Sequence, residues 1–359
     1  METIKVITLK AKGGCVEKLL ELIERNWFMK KKLKVTGFVL LVLLIIVSLT
    51  GSIFEMVSYR NVKANYPPDG EMIHVGDREI HVNIKGNQTD LPPVVIETGT
   101  GNWSYDWSQF QEELSKYTQV LTYDRAGYGW SDPPSNGFSL DTTITDLNTI
   151  LKETKIDTPV ILIGHSVGGV YARHFTDQYP EKVAGLILVD SRNEFFKENA
   201  PAYNEKFFRS QDQMYNRILS RLGVIRLFGE MTLAGMPEFI SKEKYAHVQY
   251  DGPFFKVLDE EIQQIPENVE LLKEIESLND KPLKIISPEE VESQAVALGF
   301  SEQQEDEINE KWINAQEQLT ELSTKSDYIS VPNTSHAVMY DQPKVIVEAV
   351  LDIQNELGR

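Results

Sequence analysis

Cysteine is almost absent from this chain of 359 residues, because Cys15 is the single one. One cysteine cannot form an intramolecular disulfide, and no Cys/His cluster has the spacing of a zinc site. The six histidines are scattered and include no HExxH pair. We therefore expect neither a metal nor any other cofactor.

Basic residues are scarce relative to acidic ones: 36 Lys/Arg stand against 54 Asp/Glu, for a net charge of -18. A phosphate backbone requires a basic face, so this balance argues against a nucleic-acid partner. Residues 1–34 hold nine Lys/Arg and four Asp/Glu, which leaves about -23 for the rest of the chain. A segment with this negative charge is expected to be soluble, and its charge does not attract it to anionic lipid.

Charge is missing altogether from residues 35–54, which read VTGFVLLVLLIIVSLTGSIF. About 20 apolar residues span a bilayer core as a helix. Four lysines lie just before this stretch, at positions 30, 31, 32 and 34. The positive-inside rule then predicts a single-pass anchor at 35–57, with residues 1–34 in the cytoplasm and the rest of the chain outside the cell membrane. A cleaved signal peptide and a buried core helix are the alternatives.

The stretch MKKKLKVTGF, which begins at Met29, looks like a complete membrane-targeting start. We hypothesise that Met29 is the natural initiator and that residues 1–28 are an extension. The alternative is a short cytoplasmic helix at 1–28. Mass spectrometry of the N-terminus distinguishes the two.

After a linker at 58–70, the residues 71–359 alternate between apolar runs and amphipathic stretches. The first unit predicts a β-hairpin that turns at Gly76 and Asp77, with His81 on the sheet surface. The repeated apolar runs predict an α/β fold, with a mostly parallel sheet covered by helices on both faces.

Two further features refine this domain. Asp141, at the start of DTTITDLNTILKETKI, is predicted to cap a helix. From 192 to 280 the strand pattern stops and charged and aromatic residues follow with helical periodicity, which predicts a helical cap inserted into the domain.

The stretch VILIGHSVGGVYARHF carries the chemistry. In it a buried strand runs into Gly164-x-Ser166-x-Gly168 and then directly into a helix. This pattern is the nucleophile elbow, a strained strand-to-helix turn that presents the serine clear of the sheet. The glycines are needed because strand and helix backbones come close together there.

From residue 71 to the C-terminus the chain resembles the α/β-hydrolase superfamily, in particular its capped esterase, haloperoxidase-like and dehalogenase-like members. The matching pieces are VVIETGTG, YDRAGYGWSD, GHSVGG, LILVDS and NTSHAVMYDQP, in the family's order. The resemblance implies that Ser166 is the nucleophile and that His336 is the general base that takes its proton. It also implies an oxyanion hole formed by the backbone N–H groups of Val167 and Thr100. We interpret His165 as a residue that lines the pocket or supports the site residues, and Asp124 and Arg125 as residues that hold the structure of the loop YDRAGYGW.

The acid of the implied triad is less well defined by the sequence. Asp190 follows the strand LILVD and occupies one position from which relatives orient the histidine. The other position follows the strand PLKIIS, where this chain has Glu289, Glu290 and Glu292 but no aspartate. We predict Asp190, with the three glutamates as the alternative acid.

Together these features predict a membrane-anchored serine hydrolase that cleaves a small carboxylic ester, thioester or lactone through an acyl-serine intermediate. A serine nucleophile disfavours epoxide hydrolase and dehalogenase chemistry, for which relatives use aspartate. An acyltransferase is the alternative within enzymes, because an alcohol competes with water for the same intermediate. A ligand-binding sensor with negligible turnover is the alternative outside enzymes.

Overall fold

An eight-stranded sheet forms the centre of the structure, a computed structural model that describes residues 15–233, 236–250, 252–291 and 293–358. The strand order is β1-β2-β4-β3-β5-β6-β7-β8. β1, β2 and β4 pair antiparallel, whereas every pair from β4–β3 to β7–β8 is parallel, which confirms the predicted mostly parallel sheet. The strands are β1 (Glu71–Val75), β2 (Arg78–Lys85), β3 (Val94–Glu97), β4 (Val120–Tyr123), β5 (Val160–His165), β6 (Val183–Val189), β7 (Leu283–Pro288) and β8 (Ser326–Val331).

The α-helices precede, cover and connect these strands. They are α1 (Cys15–Arg60), α2 (Val62–Asn65), α3 (Ser108–Leu114), α4 (Leu140–Glu153), α5 (Gly168–Gln178), α6 (Glu194–Asn199), α7 (Pro201–Ser210), α8 (Met214–Arg221), α9 (Val224–Phe228), α10 (Lys242–Lys244), α11 (Gly252–Leu271), α12 (Glu302–Gln318), α13 (Val338–Asp341) and α14 (Pro343–Leu357). α4 begins one residue before Asp141, and the Oγ of Ser139 accepts a hydrogen bond from the N–H of Thr142 at 3.1 Å. Ser139 is therefore the cap, and the prediction of Asp141 was wrong.

Alternate residues of the central strands contribute to two separate cores. Leu162 of β5 packs with α4, α5 and α11 on one face of the sheet. Ile161 and Ile163 pack with α3 and α14 on the other face. Because both faces are covered, the central strands are apolar throughout, which explains the continuous runs in the sequence.

The predicted hairpin is formed by β1 and β2, and Gly76 lies in its turn with a φ of 64°. The surface position predicted for His81 is wrong, because its side chain is buried and its Nδ1 lies 2.9 Å from a carboxylate oxygen of Asp124. β2 is not an edge strand, since β1 and β4 pair with it on either side. The alternation of polar and apolar residues along a strand shows which side chains share a face of the sheet, but it does not show whether another segment covers that face.

Between β6 and β7 the described residues form helices α6 to α11 and no strand. This segment coincides with the cap predicted at 192–280. Its position after the carboxyl end of β6 places it over the edge of the sheet that also carries the β5–α5 turn. The domain boundaries themselves remain predictions.

α1 is continuous from Cys15 to Arg60. In the part of the chain that the structure describes, Lys18–Arg60 is the one helix whose length and composition suit a membrane span. None of its apolar window is buried, which excludes a buried core helix. A membrane anchor and a signal peptide both fit this observation.

Candidate active site

Ser166 lies in the turn between β5 and α5, at the carboxyl edge of the sheet. Its φ is 54°, in the left-handed region that costs a residue other than glycine about 1–3 kcal/mol. The turn is held by its own backbone: the N–H of Ser166 donates to the carbonyl oxygen of Val189 at 3.0 Å, and the carbonyl of Ser166 accepts from the N–H of Arg192 at 3.0 Å. The strained turn thus positions the serine side chain above the strand ends.

The glycines of GHSVGG stand where no side chain fits. A Cβ on Gly164 would lie 2.5 Å from the Cα of Gly169, and one on Gly168 would lie 2.5 Å from the carbonyl oxygen of Thr98. A Cβ on Gly169 would collide with the side chain of Ser191. These close approaches are the physical reason for the motif.

The backbone amides predicted to form an oxyanion hole lie on two segments that meet at Ser166. Val167 directly precedes α5, so its N–H is at the positive end of that helix dipole. Thr100 follows Gly99, and a Cβ on Gly99 would be 3.2 Å from the Cβ of Ser166. Among the described residues, neither amide donates a hydrogen bond to another group. Both are therefore available to a developing oxyanion.

His336 and Asp190 are brought together although 146 positions separate them in the chain. The Nδ1 of His336 lies 2.6 Å from Oδ2 of Asp190, and a carboxylate can only accept, so Nδ1 carries the proton. The other ring nitrogen, Nε2, is then unprotonated in the neutral imidazole and can act as a base. Asp190 is buried and has a φ of 41°, so its backbone is strained as well.

The alternative acids are not brought to His336. Glu289 and Glu290 follow β7 with exposed side chains, and neither has a hydrogen bond or ion pair with His336 among the described residues. Glu292 lies outside the described residues. Of the candidates that can be compared, Asp190 alone contacts the imidazole, and its role as the acid stays a prediction.

The side chain of His336 remains 53% exposed, and no hydrogen bond joins it to the Ser166 hydroxyl among the described residues. In enzymes without bound substrate this bond is often long, and it shortens when the substrate complex forms. The side chains of Ser166 and His336 therefore lie at the same edge of the sheet without a hydrogen bond between them.

His165 supports the His336 loop. Its Nε2 donates to the carbonyl oxygen of His336 at 2.9 Å, and the two rings lie 4.7 Å apart. Burial, together with the charge that His336 can carry, lowers the pKa of His165 to about 3. His165 is consequently neutral at physiological pH, with its unprotonated Nδ1 directed at Gly99.

Arg125 links the loop that follows β3 to the cap. It is buried, and it donates to the carbonyl oxygens of Thr98 at 2.5 Å and Gly99 at 2.9 Å. The same guanidinium forms ion pairs with Glu97 at 2.8 Å and with Glu261 of cap helix α11 at 3.0 Å. The predicted loop-holding role thus extends to a link between loop and cap.

Trp312 is a neighbour of the site that the sequence interpretation missed. Its Nε1 donates to Oδ1 of Asp190 at 2.7 Å, so both carboxylate oxygens of Asp190 have donors. Trp312 lies on α12, a helix whose start is marked in the sequence by the capping box Ser301 to Gln304. That signal, followed by apolar residues at helical spacing, would have identified the helix but not its contact with Asp190.

Residues 92–223 match a family model described as alpha/beta hydrolase fold. Among solved structures, a thermophilic esterase from Thermogutta terrifontis aligns with a TM-score of 0.54 at 19% identity, covering 80% of this chain and 99% of that one. At that identity the likeness establishes the fold alone.

Curated relatives resemble the chain over shorter shares of their own length. A probable transporter of Hormonema carpetanum is 23% identical over 78% of this chain and 42% of its own. A human (lyso)-N-acylphosphatidylethanolamine lipase is 33% identical over 30% of this chain and 33% of its own. The chain spans less than half the length of the first curated relatives it matches.

The prediction of an alpha/beta hydrolase is confirmed by these comparisons and by the sheet. Esterase, lipase and epoxide hydrolase are among the activities that its relatives and structural neighbours carry in their names. The chain thus has the alpha/beta hydrolase fold, and residues 92–223 match the sequence model of that family.

Proposed function

We propose that the chain is a membrane-anchored serine hydrolase that cleaves a carboxylic ester, thioester or lactone through an acyl-Ser166 intermediate. The observation that carries this proposal is the 2.6 Å contact between His336 Nδ1 and Asp190, at the strand edge where Ser166 sits in its strained turn. The unpaired amides of Val167 and Thr100 support it, because acyl transfer needs donors for an oxyanion.

In the proposed reaction, Ser166 Oγ attacks the acyl carbonyl while His336 Nε2 takes the hydroxyl proton. The tetrahedral oxyanion is stabilised by the amides of Val167 and Thr100, and such donors are typically worth about 3 kcal/mol each. Collapse breaks the bond to the alcohol or thiol, which leaves with the proton held by His336. Water then attacks the acyl-serine, His336 takes its proton, and the free acid and the Ser166 hydroxyl are released.

Anchoring by α1 is part of the proposal. The apolar span at 35–54 has four lysines just before it and only Glu55 and a single Arg60 just after it, which favours a cytoplasmic N-terminus and a catalytic domain outside the membrane. The exposed surface of α1 supports an anchor, because the apolar residues of this helix that no protein segment covers require lipid.

The test is the release of p-nitrophenol from short and medium acyl esters by the full chain in detergent. Ser166→Ala is compared with Ser135→Ala, which removes an exposed serine hydroxyl outside the site. We expect Ser166→Ala to lose about three or more orders of magnitude in kcat/KM and Ser135→Ala to keep the parent rate. Equal rates for Ser166→Ala and the parent would exclude an acyl-Ser166 intermediate.

The sensor alternative draws on one observation, the missing hydrogen bond between Ser166 and His336. A sensor that never forms this bond leaves the serine unactivated. A fluorophosphonate probe separates the two functions, because an activated Ser166 is labelled rapidly and an unactivated one is not. Rapid labelling that Ser166→Ala abolishes excludes the sensor.

A further inference from the structure

The cap exposes a set of apolar side chains that the proposed chemistry does not use. Tyr215 is 73% exposed and Met231 is 78% exposed. Contiguous apolar patches are uncommon on soluble monomers and mark interaction sites. We name this set the cap apolar face: Met214, Tyr215, Ile218, Leu219, Leu227, Phe228 and Met231.

The cap apolar face continues directly into the contact between the cap and α1. Met214 and Ile218 lie four residues apart on α8, so they share one side of the helix, and the next step of four is Leu222. Leu222 packs against Gly51 of α1 so closely that a Cβ on Gly51 would collide with its carbonyl group. The C-terminal end of α8 is therefore held against the apolar helix, while Met214 and Ile218 further along α8 are exposed.

A buried ion pair fixes this contact. The Nε and Nη2 of Arg226, on α9, donate to the two carboxylate oxygens of Glu55 at 2.8 and 2.7 Å. Both side chains are buried. Gly223, whose φ is 71°, also leaves room for Phe54, because a Cβ at that position would lie 2.9 Å from the Phe54 ring.

The contact lies at the end of the apolar span of α1. With a rise of about 1.5 Å per residue, Gly51 is about 5 Å from Phe54, the last residue of the uncharged span, and about 9 Å from Val57, where the predicted anchor ends. Interfacial amphipathic helices bury their apolar face about 5–10 Å into the headgroup boundary. The docking of α8 onto Gly51 holds the cap apolar face within this range.

The charge of the segment also suits a lipid surface. Residues 214–229 contain Arg217, Arg221 and Arg226 and no Asp or Glu, within a body that carries about -23. Arg226 is paired with Glu55 and Arg217 with Asp259, so the exposed Arg221 is the arginine that can attract a phosphate headgroup. The apolar side chains beside it supply the insertion energy.

We propose that the cap apolar face lies in the outer headgroup layer of the bilayer that α1 spans, so that α8 and α9 form an interfacial membrane-binding surface. The proposal rests on the anchoring part of the proposed function and not on its chemistry. Its occupant is lipid, and a second copy of the chain is the competing occupant.

The test places single nitroxide labels on the full chain, with Cys15→Ser as the background. Ile218→Cys and Phe228→Cys report on the cap apolar face. Thr158→Cys is the matched control, since this exposed residue precedes β5 and lies at the opposite edge of the sheet from the cap. The labelled chains are reconstituted in phosphatidylcholine vesicles containing phosphatidylglycerol, and circular dichroism melting verifies that each is folded.

Power saturation then compares collisions with oxygen, which concentrates in lipid, and with a water-soluble nickel chelate. We expect the oxygen-to-nickel ratio at Ile218→Cys and Phe228→Cys to be several-fold higher than at Thr158→Cys. A ratio equal to that of Thr158→Cys would overturn the proposal. Labels that are shielded from both reagents and whose spectra are broadened by a nearby spin would show that a second copy of the chain, and not lipid, covers the cap apolar face.

Fluorophosphonate labelling of Ser166 in the same vesicles separates this surface from the chemistry. If Ser166 is labelled but the nitroxides are exposed to water, the proposed membrane-binding surface is wrong and the proposed hydrolase function is retained. A chain that is not labelled but has lipid-exposed nitroxides overturns the hydrolase and supports the surface.

Discussion

At the scale of single residues, two of the five non-glycine residues with a positive φ in the described part of the chain lie where chemistry is proposed. Ser166 and Asp190 both have a positive φ, at 54° and 41°, although neither is a glycine. Each follows a central parallel strand, and the N–H of each is held by the neighbouring strand, that of Ser166 by Val189 and that of Asp190 by Ile286. The rigid sheet thus keeps two side chains in orientations that a free chain would leave.

We predict that Asp190→Asn lowers kcat/KM for p-nitrophenyl esters by about three to four orders of magnitude, because an amide no longer holds His336 with Nδ1 protonated. Glu289→Gln and Glu290→Gln serve as controls and are expected to retain the parent rate, since both side chains are exposed. Steady-state kinetics at neutral pH measures all three. An Asp190→Asn variant that keeps the parent kcat/KM would show that another residue is the acid.

His165 is predicted to make folding sensitive to acid. Its folded-state pKa of about 3 lies below the usual 6.5, so the unfolded chain binds the extra proton between these values. Stability is therefore fully present above about pH 6.5 and is lost as the pH falls towards 3, by about 2 kcal/mol at pH 5. We expect His165→Gln to flatten the dependence of the unfolding free energy on pH between 7 and 5.

The control for this measurement is His74→Gln, which removes an exposed histidine of β1. Denaturant titrations at several pH values provide the free energies of unfolding. The same slope in His165→Gln as in His74→Gln would show that His165 is not the acid-sensitive group.

At the scale of elements, the hydrolase core is joined to its surroundings by buried charge. Arg125 connects the loop that follows β3 to α11, and Arg226 connects α9 to α1. Ions buried in this way are expensive unless paired, so each pair fixes the relative position of the two elements it joins.

Glu55→Ala is predicted to cost about 3 kcal/mol of stability or more, because it leaves Arg226 buried without its partner. The double variant Glu55→Ala/Arg226→Leu is expected to lose less, since no unpaired charge remains. Glu24→Ala, at an exposed position of the same helix, is the control. Thermal unfolding in one detergent compares the melting temperatures of the three variants. Equal melting temperatures for Glu55→Ala and Glu24→Ala would contradict a buried ion pair between Glu55 and Arg226.

At the scale of the whole molecule, the chain divides into an apolar helix with a basic flank and a strongly acidic domain. The two parts meet at the cap, next to Gly51 and Phe54, so α1 is held against the acidic domain. The proposed orientation across a membrane rests on the lysines that precede the span.

We therefore predict opposite accessibility for two cysteines in the Cys15→Ser background. Thr158→Cys is expected to react with a membrane-impermeant maleimide on intact cells, whereas Lys31→Cys reacts only after permeabilisation. Gel-shift analysis measures both. Labelling of Lys31→Cys on intact cells would reverse the proposed topology, and recovery of Thr158→Cys in the medium would favour a cleaved signal.

Local pattern by itself determined the elements of this protein. The apolar runs at β3, β5, β6 and β7, the glycines around Ser166 and the uncharged span at 35–54 are each readable because backbone sterics and burial act on neighbouring residues. The resemblance added His336 and an order for the triad. His81 and Asp141 were misjudged, because the covering of β2 and the choice of Ser139 as cap depend on how the chain folds around them.

Tertiary structure alone decided which distant residues meet. The sequence left Asp190 and three glutamates as candidate acids. The contact of Asp190 with His336 follows from the parallel strands β6 and β8, which flank β7 and end at one edge of the sheet, and its contact with Trp312 follows from the packing of α12. Likewise, nothing in the sequence pairs Glu55 with Arg226 or joins the exposed stripe of α8 to α1. Such contacts link positions more than one hundred residues apart, and no local propensity or periodicity encodes them.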